Sequence, residues 1–226
     1  MQMSVTEQET LSVKKNTGRS VTIEGLAAEI SARVADDRII VAIVGSPGSG
    51  KSTTSAALQN LLEKEHRLKA QIVPMDGFHY DNAILEQLGL MSRKGAPETF
   101  DVGGLQATLK RLTGTYRAED VAVPVFDRTI ELSRASARII DRNTCVLLVE
   151  GNYLLMNSGS WSHLGQYFDL TAMIACDEST LRARLLQRWL ELNYSKAQAA
   201  RKVESNDLPN ARLVTNKSKP ADFTII

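Results

Sequence analysis

The sequence is poor in cysteine and aromatic residues, and it has no excess of charge of either sign. Its two cysteines, Cys145 and Cys176, lie in or beside apolar, strand-like runs, which predicts buried thiols in a reducing compartment rather than a disulfide framework. The net charge is +1 and only 5% of the residues are aromatic. The chain therefore lacks the positive charge and the stacking surfaces that are typical of nucleic-acid-binding proteins, and we expect no nucleic-acid partner.

Long hydrophobic runs are also missing. No apolar run approaches the ~20 residues that a membrane-spanning helix needs, and the polar first residues lack the apolar core of a signal peptide. We therefore expect a cytoplasmic protein with no membrane partner. A chain of 226 residues accommodates one α/β domain, predicted over residues 21–226 and preceded by a poorly ordered tail over residues 1–20.

The most informative stretch is a buried strand, a glycine-rich loop and the start of a helix. Ile39–Val44 is an unbroken apolar run, the pattern of a strand covered on both faces. Residues 45–52 then match G-x-x-x-x-G-K-[ST], the phosphate-binding P-loop, in which Lys51 reaches the β- and γ-phosphates and the Ser52 hydroxyl ligates Mg²⁺. The predicted nucleotide-binding residues are Gly45, Ser46, Pro47, Gly48, Ser49, Gly50, Lys51, Ser52 and Thr53.

Two carboxylates follow predicted strands. Asp76 comes after the strand candidate of residues 70–75, where ligands of parallel sheets bind; it is a candidate general base or Mg²⁺ ligand, with helix capping as the alternative. Glu150 closes the apolar strand of residues 144–149, which has the form of the acidic motif that holds the metal's water shell in P-loop enzymes.

Several polar residues could bind a second substrate. A loop around Arg93 and the pair Asp127–Arg128 at the end of the strand of residues 121–126 could line such a site, or could be a solvated turn and a surface ion pair. We expect His79 to line a pocket rather than to act in catalysis. The predicted substrate-binding residues are Asp76, His79, Tyr80, Arg93, Asp127 and Arg128.

A helix that opens at Asp177 carries two arginines on one flank. Arg184 and Arg188 are four residues apart and lie one turn from each other. They could clamp a transferring phosphoryl group, or they could form a solvated basic flank. Farther along, the sequence predicts a short helix over residues 194–203, a turn over residues 206–210 and a last strand over residues 221–226.

In this order, the motifs resemble the phosphoribulokinase and uridine kinase family, with the bacterial pantothenate kinases as near relatives. The segments that carry the resemblance beside the P-loop are residues 75–78, 94–101, 123–127 and 149–151. The resemblance implies a three-layer α/β P-loop fold with a five-stranded parallel sheet and a helical lid, ATP as phosphoryl donor, Mg²⁺ and a small-molecule acceptor. It makes Asp76 the base, Glu150 a metal-shell carboxylate and Arg184 and Arg188 lid arginines. A homodimer is an expectation at the level of the family.

The resemblance also bears on the acceptor. Phe126 stands where the family usually has tyrosine, and the residues that grip a pyrimidine are not evident around Asp127. Residues 75–80 are closer to pantothenate kinases and to sugar-transport-associated kinases. We therefore expect a fructose-type sugar or polyol, with pantothenate or a uridine-like nucleoside as alternatives. A nucleotide-dependent switch is a further alternative. Residues 216–219 begin like the guanine-binding motif Asn-Lys-x-Asp, but this chain has Lys219 where that motif has its carboxylate.

Overall fold

The computed structural model describes residues 18–35, 37–114 and 116–226. Residues 1–17, most of the predicted tail, lie outside the described residues. The last residues of that predicted tail, Arg19 and Ser20, belong to a strand instead. Within the described ranges no helix is both long and apolar enough to cross a membrane.

The centre of the fold is a parallel sheet of six strands, where five were predicted. The six strands are β1 (Arg19–Val21), β2 (Ile39–Val44), β3 (Ala70–Pro74), β6 (Val146–Gly151), β7 (Leu170–Ile174) and β8 (Phe223–Ile225). Their order is β1-β8-β7-β2-β6-β3, and every neighbouring pair is parallel. The unpredicted strand is β1, a three-residue strand at the edge of the sheet.

Helices cover both faces of this sheet, which gives the predicted three layers. Alternate residues of β2 point to opposite faces, so Ile40, Ala42 and Val44 join one hydrophobic core while Ile39, Val41 and Ile43 join the other. The helices are α1 (Ile23–Ser31), α2 (Lys51–Lys64), α3 (Asn82–Gln87), α4 (Val102–Gly114), α5 (Glu178–Glu191), α6 (Lys196–Lys202) and α7 (Leu208–Lys217). Helix α4 packs in the first core, and α1 and α2 pack in the second.

The predicted turn over residues 206–210 is wrong. Val203–Asp207 forms a π-helical turn, and α7 begins directly after it. Pro209 lies in the first turn of α7, where proline is well tolerated because the backbone N–H that it lacks has no partner there. Leu208 and Ala211 pack against α5 in a third, smaller core, which stabilises the helix.

A two-stranded antiparallel hairpin lies outside the main sheet. It consists of β4 (Val121–Asp127) and β5 (Leu132–Ile140), and its register shifts between Val123 and Val125. Pro124 stands at the shift, as expected for a residue that cannot donate to a strand ladder. The hairpin packs on the 3₁₀ turn Met75–Phe78, so closely that a Cβ on Gly77 would lie 2.3 Å from the Pro124 carbonyl oxygen.

A buried arginine connects the elements at the opposite end of the sheet. Arg38, which is 9% exposed, donates hydrogen bonds to the carbonyl oxygens of Leu112, Asp141, Arg142 and Thr144 at 2.8 to 3.2 Å. These bonds join the end of α4 and the β5–β6 connection to the start of β2. The guanidinium thus satisfies backbone carbonyl groups of one helix and one connecting segment.

Candidate functional site

The predicted P-loop connects β2 to α2. Gly48 and Gly50 have φ angles of 78° and 95°, in the left-handed region that favours glycine. Gly50 caps α2 without a side-chain hydrogen bond, so the first amide groups of the helix face an open cradle. A cradle of amide groups at a helix N-terminus is a suitable site for a phosphate.

Lys51, Ser52 and Glu150 lie together beside this cradle. The Lys51 ammonium donates to the Ser46 carbonyl oxygen at 3.1 Å, and the Ser52 hydroxyl lies 3.0 Å from both carboxylate oxygens of Glu150. Burial lowers the pKa of Lys51, against the opposing charges of Asp76 and Glu150. Burial and then the charge of Asp76 raise the pKa of Glu150. A hydroxyl and a carboxylate at one edge of the sheet are oxygen ligands of the kind that Mg²⁺ takes.

Asp76 lies at the end of β3, in the 3₁₀ turn Met75–Phe78. Its Oδ2 accepts a hydrogen bond from Arg128 Nη2 at 3.1 Å. Burial alone would raise the pKa of Asp76, but its interactions with His79, Arg128 and Lys51 together lower it below its ordinary value. The carboxylate is therefore ionised at neutral pH. Helix capping, the alternative role, belongs to Asp81, which accepts from the Ala83 amide at the start of α3.

Two cavities meet at Asp76. The P-loop cavity, of about 350 Å³, lies over residues 47–53 and Glu150. The lid cavity, of about 260 Å³, lies between the hairpin and the segment of residues 188–210. The residues that line both cavities are Pro47, Asp76, Arg128, Asn152 and Arg188. An alcohol in the lid cavity and a phosphate over the P-loop would therefore meet beside an ionised carboxylate and two guanidinium groups.

One wall of the lid cavity is a stack of rings. The His79 ring centroid lies 3.9 Å from that of Phe100 and 4.8 Å from that of Phe126. His79 Nδ1 lies 2.8 Å from the main-chain oxygen of Asp76, which can only accept, so Nδ1 carries the proton. Burial lowers the pKa of His79, so its ring is neutral. This placement agrees with the prediction that His79 lines a pocket.

The opposite wall is formed by the end of α5 and the residues that follow it, which we call the lid. Trp189 Nε1 donates to Asp207 Oδ2 at 2.6 Å, and the Lys202 ammonium lies 4.6 Å from the Trp189 ring centroid. Burial raises the pKa of Asp207. The lid therefore presents aromatic surface together with charges of both signs to the cavity.

The structure separates the two lid arginines. Arg188 lies in the wall shared by the two cavities. Arg184 Nη1 instead donates to the carbonyl oxygens of Gly48 and Ser49 at 3.4 and 3.2 Å. Arg184 thus supports the P-loop from its other side, and the phosphoryl-binding role that the resemblance assigns to it stays a prediction.

Three predicted substrate-binding residues lie outside the wall of the lid cavity, as far as the described ranges show. The Tyr80 amide bonds to the Thr99 carbonyl oxygen. Arg93 bonds to Asn206 and Glu98 at 3.1 Å each, and Asp127 forms an ion pair with Arg134 at 3.3 Å. Their contribution to substrate binding stays a prediction.

A third cavity, which we call the side cavity, was not predicted. It has a volume of about 540 Å³ and lies on the other side of the P-loop from the lid cavity. It is lined mainly by residues at the carboxyl ends of β7 and β8, together with Ser49, Thr54 and Arg184. The rule that ligands bind beyond the carboxyl ends of parallel strands could have indicated the β7 and β8 residues.

The sequence analysis also missed residues of the lid cavity itself. Asn152, two residues after Glu150, could have been found from the same strand-end rule. Glu131 in the hairpin connection and Asn206 and Asp207 in the π-helical turn carried no local signal, because contacts between distant segments bring them to the cavity.

Comparison with known proteins assigns the chain to a family. No family model matches. The chain is similar to the solved structure of a "putative fructose transport system kinase" from Silicibacter sp. TM1040, with 38% identity and a TM-score of 0.86 over 92% of this chain and 100% of the other. It is 30% identical over 195 residues to the "Putative uridine kinase C227.14" of Schizosaccharomyces pombe, covering 83% of each chain.

A pantothenate kinase of Rhodopseudomonas palustris (strain HaA2) is 33% identical over 161 residues, which make up 68% of this chain and half of the relative. The predicted P-loop, the parallel sheet with its helical layers and these likenesses agree with one another. The chain belongs to the phosphoribulokinase and uridine kinase family of P-loop kinases, and it is a small-molecule kinase.

Proposed function

We propose that the protein transfers the γ-phosphoryl group of ATP to a hydroxyl of a fructose-type sugar or polyol. The observation that carries the proposal is the position of Asp76 in the wall shared by the P-loop and lid cavities. The choice of a sugar is supported by the 38% identical relative whose name refers to fructose transport. Relatives named for pantothenate and uridine make those acceptors the alternatives to be tested.

The P-loop side would hold the donor. The amide cradle and Lys51 would bind the phosphates, and the mainly apolar side cavity would take the nucleoside. Ser52 and Glu150 would hold Mg²⁺, directly or through water. When bound, the ion would neutralise charge on the phosphates.

Asp76 would act on the acceptor side. Its ionised carboxylate would orient the acceptor hydroxyl and take its proton, while Arg128 and Arg188 would supply positive charge beside the moving group. Phosphoryl transfer depends mainly on positioning and charge stabilisation. Residues from the turn after β3, the hairpin and α5 would meet both requirements.

A screen of purified protein for ADP release tests the proposal. The panel comprises fructose and other ketoses, polyols, glycerate, nucleosides and pantothenate, each with ATP and Mg²⁺. We expect turnover with a sugar or polyol, and turnover restricted to pantothenate or a nucleoside would refute the choice of acceptor.

Light scattering tests the proposed homodimer, and localisation of a tagged protein in cells tests the expected cytoplasmic location.

Two variants test the roles of the site residues. Asp76→Asn should retain ATP binding, measured with a fluorescent ATP analogue, and should lose transfer to the acceptor. Lys51→Ala should abolish turnover because the phosphates lose their cation. If Asp76→Asn kept full activity on the true acceptor, Asp76 would not be the base.

A further inference from the structure

Glu131 has an unusual backbone conformation in the loop that connects the two strands of the hairpin. It ends the connection between β4 and β5 and has a φ angle of 54°, which a residue with a side chain rarely adopts. The Lys94 ammonium donates to its main-chain oxygen at 2.5 Å and to Asn82 Oδ1 at 2.8 Å. A strained conformation that its neighbours hold in place is a common feature of ligand-binding positions.

The Glu131 side chain presents an unsatisfied oxygen. Its Oε1 is shielded from solvent and has no hydrogen-bond partner among the described residues, and the same is true of Asn152 Oδ1. Both residues line the lid cavity. Less than 1 Å² of either oxygen is accessible, so a ligand in the cavity can pair with it only once the side chain turns toward the cavity. Such pairing would remove the cost of a buried acceptor that has no donor.

The two atoms come from different parts of the fold. Asn152 directly follows β6 and also lines the P-loop cavity, whereas Glu131 belongs to the hairpin. Both atoms can only accept hydrogen bonds. A molecule that satisfies both must present a donor to each side of the cavity, and Asp76 must still have access to the hydroxyl that reacts.

We propose that Glu131 selects the substrate, since its Oε1, together with Asn152 Oδ1, accepts hydrogen bonds from hydroxyls that are not phosphorylated. The substrate is then a polyhydroxylated compound with at least three hydroxyls within reach of Asp76, Glu131 and Asn152. This inference rests on the proposed function and makes it more specific. Glu131 is a specificity residue, whose strained backbone costs stability and whose carboxylate discriminates among substrates.

The test uses D-fructose and its monodeoxy analogues as probes, with three variants. Glu131→Gly relieves the positive φ and removes the carboxylate. Glu131→Gln keeps the shape of the side chain and removes its charge. Ser136→Gly is the matched control, because Ser136 lies in the same hairpin with a φ angle of 51° but is exposed and outside the cavity wall.

For each protein, kcat/KM is measured with every probe, together with the KM for ATP and the thermal midpoint. Fluorescence of Trp189, which lines the lid cavity, reports binding without turnover, in a Trp161→Phe background that removes the other tryptophan. We expect the kcat/KM of the wild type to be about 30-fold higher with D-fructose than with the analogue that lacks the hydroxyl bound by Glu131.

In Glu131→Gly this preference should fall to about 1-fold. In Glu131→Gln, whose amide oxygen still accepts a hydrogen bond but carries no charge, it should fall to about 5-fold. The preferences at the other hydroxyls and the KM for ATP should stay unchanged in both variants. Glu131→Gly should be at least as stable as the wild type, because it loses both strain and a buried unpaired atom. Ser136→Gly should retain every preference.

Each other outcome counts against the inference. Glu131 variants that keep every preference of an active wild type overturn the inference alone and leave the proposed function standing. A wild type that neither binds nor phosphorylates any sugar or polyol overturns both. A Glu131→Gly protein with a lower thermal midpoint and equally reduced activity on all probes would show that Glu131 has only a structural role.

Discussion

Gly77→Ala tests whether the hairpin is positioned by its contact with the turn that carries Asp76. A Cβ on Gly77 would lie 2.3 Å from the Pro124 oxygen and 2.6 Å from its carbonyl carbon, whereas ordinary contacts of a Cβ begin at 3.4 Å. Both groups are backbone, so no side-chain rotation relieves the clash. The hairpin must therefore move by about 1 Å relative to Asp76, and Arg128 moves with it.

A displacement of this size in a group that positions a substrate costs about 100-fold in rate, and overpacking costs about 1–3 kcal/mol of stability. We expect kcat with the true acceptor to fall by about 100-fold while ATP binding to the P-loop is retained. Steady-state kinetics, ATP-analogue binding and denaturant unfolding measure the three effects.

Gly114→Ala is the matched control, because a Cβ there meets nothing within 4 Å and alanine is the better helix former; it should keep activity and lose no stability. A Gly77→Ala enzyme with wild-type kcat and stability would refute the idea that hairpin packing sets the geometry of the shared wall.

Three further predictions follow from the site and the core. Arg128→Met removes a charge that lowers the pKa of Asp76, so the acidic side of the kcat/KM–pH profile should move to higher pH, while Arg128→Lys should largely keep it in place. Arg38→Met leaves several carbonyl groups without their donor and should cost about 3 kcal/mol, seen as a lower urea midpoint at an unchanged m-value. Asn206→Ala breaks the bonds between the lid and the loop of residues 93–95 and should raise the acceptor KM more than the ATP KM; equal changes in both would contradict this.

The parts of the fold that could be predicted are those that local sequence determines. The strand Ile39–Val44, the loop after it and the start of α2 are contiguous, so one motif predicts all three. Asp76 and Glu150 could be placed at one edge of the sheet because parallel strands end at a common edge.

Other elements could not be predicted, because contacts between distant segments determine them. Strand β5 is largely exposed, and its sequence lacks the strict alternation of a half-buried strand. Its pairing with β4 determines its conformation. Glu131 reaches the lid cavity through this hairpin, and Asn206 is held by Arg93 and Lys94, more than 110 positions away. No local sequence pattern indicates such contacts.

The geometry of α5 implies that donor and acceptor binding are coupled. Arg184 bonds to the P-loop carbonyl groups, and Leu185 would lie 3.0 Å from a Cβ on Gly48. One turn later, Arg188 enters the wall shared by the two cavities and Trp189 lines the lid cavity. A helix moves as a unit over so short a distance. A nucleotide that shifts the P-loop against α5 must therefore also shift the residues of α5 that line the lid cavity. The same helix thus contacts both the proposed donor site and the proposed acceptor site, and saturation with either substrate should change the affinity for the other by one common factor.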